Sequence, residues 1–370
     1  MNEYKLCVPC LLGLEGPIAD ELRRMKMNGV AAENGRVYFT GSDADIAKAN
    51  ICLRVGERVL LELDRFTAVT FDELFEKTKA LPWEQLIPKD AAFPVKGYSL
   101  DSKLFSVSDC QKIIKKAIVE RLKSVYGISW FDETAELYQV QFSIMKDTVS
   151  VCIDTSGEGL HKRGYRPAHN AAPLKETMAA AMVSLSRYRG REDFCDPFCG
   201  SGTIPIEAAL IAKNRAPGLN RSFSAMNWRV LDKRVWELTR EEARSREFNG
   251  DYRIIGADID PHALEIAREN AVRAGVSDII RFEQADATKF DRRTDSGIIV
   301  TNPPYGERIM EKQEAEALYR GFGAAWQSTE NWKLYLLSSH TEFERTFGKT
   351  ADKKRKLYNG MIKCDLFMYF

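Results

Sequence analysis

Asp196-Pro197-Phe198-Cys199-Gly200-Ser201-Gly202-Thr203 is the stretch on which the reading of this chain turns. A short run, Asp193 to Pro197, precedes it as an expected strand, and Ile204 to Lys213 follows as an expected helix. Glycines at a strand-to-helix turn let the backbone come close to a ligand. The first N–H groups of the helix can then hold a carboxylate or phosphate. The stretch lacks the third glycine of a dinucleotide fingerprint and the Lys-Ser/Thr of a P-loop, which argues against NAD and ATP. Asp196 beside the turn suits a ligand that carries an amino group. Phe198, Gly200, Ser201, Gly202 and Thr203 are the residues expected around that ligand with it. Cys195 and Cys199 read as packing residues.

Outward from this turn, residues from about 156 onward alternate strands and helices. That pattern predicts an α/β fold with a mostly parallel, seven-stranded, Rossmann-like sheet. The remaining strands are expected at Arg253 to Asp258, Ile279 to Gln284, Gly297 to Thr301, Lys333 to Ser338, Lys354 to Tyr358 and Ile362 to Tyr369. Most are continuous apolar runs, as strands buried on both faces are. Ligands of such sheets bind at the carboxyl ends of the strands.

After the second strand stands Gly256-Ala257-Asp258-Ile259-Asp260-Pro261. A carboxylate at that place can take both hydroxyls of a ribose, and Asp258 is assigned to it, with Ile259 beside it. Asp260 is expected to cap the next helix, whose first turn admits Pro261. After the third strand, Asp286 with Ala287 can accept a hydrogen bond from an adenine amine, or Asp286 can simply cap a turn. An amino group, a ribose and an adenine together describe S-adenosylmethionine.

After the fourth strand stands Thr301-Asn302-Pro303-Pro304-Tyr305-Gly306. Two prolines fix the backbone and carry no N–H, so the carbonyls are left as acceptors. The Asn302 side chain and a proline-segment carbonyl can accept both hydrogens of an exocyclic amine. That draws the nitrogen lone pair out of conjugation and lets it attack a sulfonium methyl in line. Tyr305 offers a ring on which a base can stack. Asn302, Pro303, Pro304 and Tyr305 are therefore the expected reaction centre. The motif serves guanine N2 and adenine N6 equally.

The rest of the chain sets bounds. Its 370 residues predict two or three domains, and 44% hydrophobic with 29% charged residues is ordinary for a globular protein. A net charge of +1 requires that any nucleic-acid contact be made by local patches. No secretory leader and no long apolar span is legible, so a cytoplasmic protein without membrane attachment is expected. Eight cysteines in so long a chain do not suggest a disulfide framework. Cys7-Val8-Pro9-Cys10 has no second pair at zinc spacing, so no metal is expected. From Lys96 to Lys123 there are seven Lys or Arg and three acidic residues. Lys112, Lys115, Lys116 and Lys123 fall largely on one stripe of a helix expected over Asp109 to Lys123, with Ser108 or Asp109 as its cap. The stripe is either a solvated surface or a footprint for an RNA backbone.

From about 160 to 370 the chain resembles the class I methyltransferase domain of the RNA guanine-N2 methylases. The markers are His161-Lys162-Arg163-Gly164-Tyr165-Arg166, Ala172-Pro173-Leu174-Lys175-Glu176-Thr177, Asp196 to Thr203, Ala216 to Phe223 and Asn302 to Arg308. Residues 66–155 resemble a THUMP domain, an RNA-binding module, through Leu104-Phe105-Ser106-Val107, and residues 1–65 would form the ferredoxin-like segment ahead of it. The resemblance implies that Pro173, Lys175 and Glu176 lie beside the cofactor, and that Arg163, Arg166 and Arg308 are candidates for RNA phosphate or for structural ion pairs. It implies an S-adenosylmethionine-dependent guanine-N2 methylase of RNA, with 23S ribosomal RNA favoured over transfer RNA. No second methyltransferase activity is expected, because the chain stops at Phe370. An adenine-N6 methylase, a protein glutamine methylase and an RNA-binding assembly factor are the rivals.

Overall fold

The computed structural model describes residues 3–166, 174–291, 294, 296–305, 312–329, 331–360 and 362–370. From the amino end its elements are β1 (Tyr4–Pro9), α1 (Glu15–Arg24), β2 (Asn28–Glu33), β3 (Arg36–Gly41), α2 (Asp43–Cys52), β4 (Leu60–Thr67), α3 (Phe71–Lys79), β5 (Val95–Leu100), α4 (Val107–Tyr126), β6 (Val140–Met145) and β7 (Thr148–Asp154). There follow α5 (Glu176–Leu185), β8 (Asp193–Asp196), α6 (Thr203–Ala212), α7 (Arg234–Ser245), β9 (Ile254–Asp258), α8 (Pro261–Ala274), β10 (Ile280–Gln284), β11 (Gly297–Thr301), α9 (Lys312–Gln327), β12 (Trp332–Ser338), α10 (Phe343–Phe347), β13 (Lys353–Asn359) and β14 (Ile362–Tyr369). Two compact units result. One comprises Met1–Pro9, Leu22–Leu160 and Ser222–Glu241, the other Cys10–Glu21, His161–Arg221 and Glu242–Phe370. Among the described residues no helix is long and apolar enough to cross a membrane.

The second unit holds a seven-stranded sheet in the order β10-β9-β8-β11-β12-β14-β13. Strands β8 to β12 run parallel, and β14 pairs antiparallel with β12 and β13. This is the class I methyltransferase sheet that the apolar runs predict. β8 has β9 on one side and β11 on the other. The strand order therefore reverses at β8, which opens a crevice at the carboxyl ends of β8 and β11. An aromatic core supports β11 and β12 from one face. In it Phe343 lies 4.5 Å from Phe367 and 5.2 Å from Phe347, ring centre to ring centre, and both Phe322 and Tyr369 are buried. Aromatic rings bury large apolar areas, so this cluster fixes the floor beneath the strand ends.

The first unit holds the other seven-stranded sheet, β2-β3-β1-β4-β7-β6-β5, with only β5 and β6 parallel. The ferredoxin-like and THUMP segments are continuous here, because β4 pairs with β1 on one side and β7 on the other. Buried polar groups tie the same seam. Asn50 of α2 donates to the Thr155 hydroxyl at 2.9 Å and accepts from Ser156 at 2.6 Å. Arg58 pairs with the fully buried Asp154. Arg36 of β3 donates to the Tyr98 hydroxyl of β5 and to Ser143 of β6, both at 3.1 Å. In a flat sheet β3 and β5 would stand about 24 Å apart, so this sheet is strongly curled.

Local expectations differ at two places. The basic helix begins at Val107 with Ser106 as its cap residue, not Ser108 or Asp109; the Ser106 hydroxyl bonds Asp109 at 2.6 Å. Strands β2, β5, β6 and β7 carry mixed polar and apolar residues and were not anticipated.

Candidate active site

Asp196 ends β8 with 1% of its surface exposed. One carboxylate oxygen accepts from the Phe198 N–H at 3.1 Å and from the Thr301 hydroxyl at 2.6 Å. Burial pushes this carboxyl up to about 7, with the charge of Asp258 adding to the rise and the two hydrogen bonds opposing it. The Thr301 bond crosses from β11 to β8. It ties the residue just before Asn302 to the head of the glycine turn, a link not read from sequence.

The glycine turn is braced from two sides. Gly200 donates its N–H to Asp258 at 2.8 Å, and Asn270 of α8 donates to the Ser201 carbonyl at 3.0 Å. Gly202 caps α6 at φ +82°, where a Cβ would stand 3.0 Å from that of Ala267, so only glycine lets α6 and α8 approach. At Gly200 a Cβ would meet no atom within 4 Å, so the turn faces open space there. Phe198 packs edge-on against Phe322 of α9 at 5.2 Å.

At the end of β9, Asp258 accepts from Gly200 and from the Asp260 N–H at 3.0 Å. A carboxylate has about four acceptor positions, so a ribose can still be bound. Asp260 caps α8 through the His262 N–H at 2.9 Å, and Ile259 is 68% exposed, an apolar face free for a purine ring. Asp286 caps the short turn Ala287–Lys289, accepting from the Thr288 N–H and hydroxyl at 2.9 and 2.7 Å. Those bonds hold its carboxyl below the usual range. Ala287 is buried beneath it. Asp196 and Asp258 thus end β8 and β9, and Asp286 follows the end of β10 by two residues. All three are hydrogen-bond acceptors at the carboxyl ends of neighbouring strands.

Asn302 follows β11 directly. Tyr305 donates its hydroxyl to the Asn302 side-chain oxygen, and the Cys364 sulfur of β14 lies 3.9 Å from the same hydroxyl. Burial, with Cys364 beside it, raises the Tyr305 phenol well above its ordinary value, so it remains a neutral donor. The Pro304 carbonyl accepts from the Tyr319 hydroxyl of α9 at 2.7 Å. Tyr319 is 1% exposed and packs on Phe343. In sequence it falls in register with Ala315 and Phe322 on the helix and reads as core, which hid its polar contact.

Of the two readings open for the arginines, the structure shows the ion pair at Arg163 and Arg166. Arg166 is a clamp. It grips both oxygens of buried Glu176 at 2.9 and 2.7 Å, the Leu174 carbonyl at 3.2 Å and the Thr203 hydroxyl at 3.1 Å. Through Arg166, Glu176 is linked to Thr203 at the start of α6. Arg163 is buried against fully buried Glu207 at 3.4 Å. Removing one partner of a buried pair strands the other charge, so both arginines are structural. Lys175 stands half-buried at the cap of α5. Pro173 and Arg308 lie outside the described residues.

On α4, Lys112 is 78% exposed, 3.6 Å from Asp109, and Lys116 is exposed as well. Lys115 is drawn inward. It donates to the Phe93 carbonyl at 3.1 Å and to Glu133 at 2.6 Å and sits over the Phe93 ring, and burial lowers its pKa. It is therefore not available to a phosphate as the stripe implied. Cys7 is buried in β1, and among the described residues no cluster of His, Cys, Asp or Glu is placed to hold a metal ion.

Comparison with known proteins agrees with this geometry. The RMKL-like methyltransferase domain family (UPF0020) matches residues 163–367, the RlmL ferredoxin-like domain residues 5–60, and the THUMP domain residues 68–154. YpsC of Bacillus subtilis (strain 168), named as a candidate RNA methyltransferase, is 44% identical over 100% of this chain and 97% of its own. The ribosomal RNA large subunit methyltransferase K/L of Psychromonas ingrahamii (strain DSM 17664 / CCUG 51855 / 37) is 33% identical over 98% of this chain. This chain spans 49% of that relative's length. The crystal structure of SMU.472, a candidate methyltransferase complexed with S-adenosylhomocysteine, superposes with a TM-score of 0.93 at 38% identity, covering 100% of this chain and 98% of its own.

Proposed function

The chain belongs to the RMKL-like methyltransferase family, and from that premise we propose that it transfers a methyl group from S-adenosylmethionine to the exocyclic N2 amine of a guanine in 23S ribosomal RNA. One observation carries the chemistry. The 2.6 Å bond from Thr301 to Asp196 joins the amine-binding tetrapeptide to the cofactor turn at the point where the strand order reverses.

The residues fit the cofactor by the chemistry of its donors. Asp196 would accept from the ammonium, Asp258 from the ribose hydroxyls and Asp286, through its outer oxygen, from the adenine amine, with Ile259 against the ring. S-adenosylmethionine supplies an electrophilic methyl on a sulfonium centre. The Asn302 oxygen and the Pro303 carbonyl accept the two amine hydrogens of the base. With the methyl donor bound, the nitrogen lone pair so freed would form the N–C bond as the C–S bond breaks, the C–S electrons staying on sulfur and one amine proton passing to solvent. Tyr305 first yields its hold on Asn302. The THUMP module supports RNA as the substrate, and the K/L relative's name favours ribosomal RNA.

Tyr319 fixes the Pro304 carbonyl and so the proline turn. Tyr319→Phe keeps the ring and loses that bond. It is expected to lower kcat by about tenfold, in keeping with one lost hydrogen bond of about 1.4 kcal/mol, with S-adenosylhomocysteine affinity unchanged. Steady-state kinetics with separate calorimetry of cofactor binding checks this; an equal loss in both would make Tyr319 a general packing residue.

Mass spectrometry of nucleosides from digested ribosomal and transfer RNA of a deletion strain tests the substrate. Loss of one N2-methylguanine from the large-subunit fraction is expected. Loss from transfer RNA alone, or loss of N6-methyladenine, overturns the assignment of base or RNA.

A further inference from the structure

The β13–β14 hairpin concentrates positive charge in a way the rest of the chain does not. The hairpin carries five Lys or Arg, all within residues 353–363, against one acidic residue, Asp365, which stands opposite Lys356. The whole chain is only +1, which leaves the remainder net negative. Lys353, Lys356 and Lys363 are exposed and Arg355 is half-exposed. Among the described residues these four make no ion pair. Lys354 differs, because it is held by Glu344 at 2.6 Å.

The hairpin is also attached to the reaction centre. Cys364 of β14 places its sulfur 3.9 Å from the Tyr305 hydroxyl, and Lys363 is its chain neighbour. The Asn359 side chain of β13 also stands near enough to the Tyr305 phenol to oppose the rise in its pKa. From there β13 leads away for about 20 Å, with a basic residue at each of its first four positions. Lysines on an edge strand also discourage edge-to-edge pairing, and β13 is an edge. That role does not require a single sign of charge. β10, the opposite edge of the same sheet, carries Arg281 and Glu283, which pair with each other at 3.5 Å.

We propose that this hairpin grips the RNA backbone, with Lys353, Arg355, Lys356 and Lys363 on phosphates flanking the nucleotide whose base enters at Asn302 and Tyr305. The assignment rests on the reading of the chain as an RNA methyltransferase. The hairpin sets the path of the strand leaving the pocket.

The test uses the full chain and deproteinised 23S ribosomal RNA, with binding measured across salt concentrations. The variant Lys353→Gln/Arg355→Gln/Lys356→Gln/Lys363→Gln is expected to make the log affinity against log salt line shallower by about 3, at roughly 0.7 for each lost single-strand phosphate contact. S-adenosylhomocysteine affinity stays as in the wild type. A charge-conserving variant (Lys→Arg at the three lysines, Arg355→Lys) retains the slope, and so does Lys354→Gln. An unchanged slope in the quadruple variant overturns the proposal, and self-association of that variant in sedimentation would then assign the charges to edge protection. A wild-type chain that binds neither ribosomal nor transfer RNA brings down the underlying reading, and the hairpin with it.

Discussion

Asn302→Ala is expected to slow methyl transfer by about 10²–10³-fold, roughly 2.7–4 kcal/mol of transition-state stabilisation, while S-adenosylhomocysteine still binds. Asn302 supplies an acceptor whose bond to the amine strengthens as the nitrogen pyramidalises, so its loss is felt in the transition state and little in cofactor binding. The two rate constants kcat and kcat/KM should therefore fall together. The substitution also strips the Tyr305 hydroxyl of its acceptor. An unmet polar group can cost about 1–3 kcal/mol of stability, so thermal denaturation belongs beside the kinetics. Single-turnover transfer to RNA decides the matter, and full turnover by the alanine variant would remove Asn302 from the reaction.

Asp196 has the next largest expected effect, and it carries a pH signature. In the free protein its carboxyl is pushed up to about 7 by burial. Binding of an ammonium needs the ionised form. The apparent Kd for S-adenosylhomocysteine is therefore expected to rise about tenfold for each pH unit below 7 and to level off above it. Asp196→Asn can keep the bonds from Phe198 and Thr301 to its amide oxygen. It should weaken binding by about 10- to 150-fold, the worth of a hydrogen bond to a charged group, and flatten the pH profile. The stability effect has the opposite sign. The unfolded carboxyl ionises near 4 and the folded one near 7, so the wild type loses stability as pH rises between those values. The free asparagine variant is accordingly expected to melt higher than the wild type at pH 8 and to show no such gain at pH 4. Calorimetric titration and melting curves across pH test both halves; a wild-type Kd that is flat from pH 6 to 8 would separate Asp196 from the ammonium.

How much of this was legible depended on whether a residue's partner was near in sequence. The methyltransferase sheet could be read because its strands are buried on both faces and appear as unbroken apolar runs. The glycine turn, Asp258 and the Asn-Pro-Pro-Tyr segment are local motifs, and each lies at a strand end. The ferredoxin-like and THUMP sheet was harder. Val95–Leu100 alternates buried and exposed positions with a glycine and a serine among them, and nothing local marks it as an edge strand. Arg163 and Arg166 stayed open between phosphate ligand and ion pair because their partners, Glu207 and Glu176, sit 44 and 10 residues away. Lys115 shares its helical stripe with Lys112, yet Glu133 and the Phe93 ring pull it aside. Tyr319 and Thr301 were missed because a hydroxyl on a buried face gives no periodic signal.

The pairing of β4 with both β1 and β7 makes the ferredoxin-like and THUMP segments share one continuous sheet. A cut between residues 65 and 66 would fall inside β4, leave its larger part unpaired from β7, and strand Asn50 from Thr155 and Arg58 from Asp154. Opening one of the two segments named by family comparison would therefore expose the strand seam of the other.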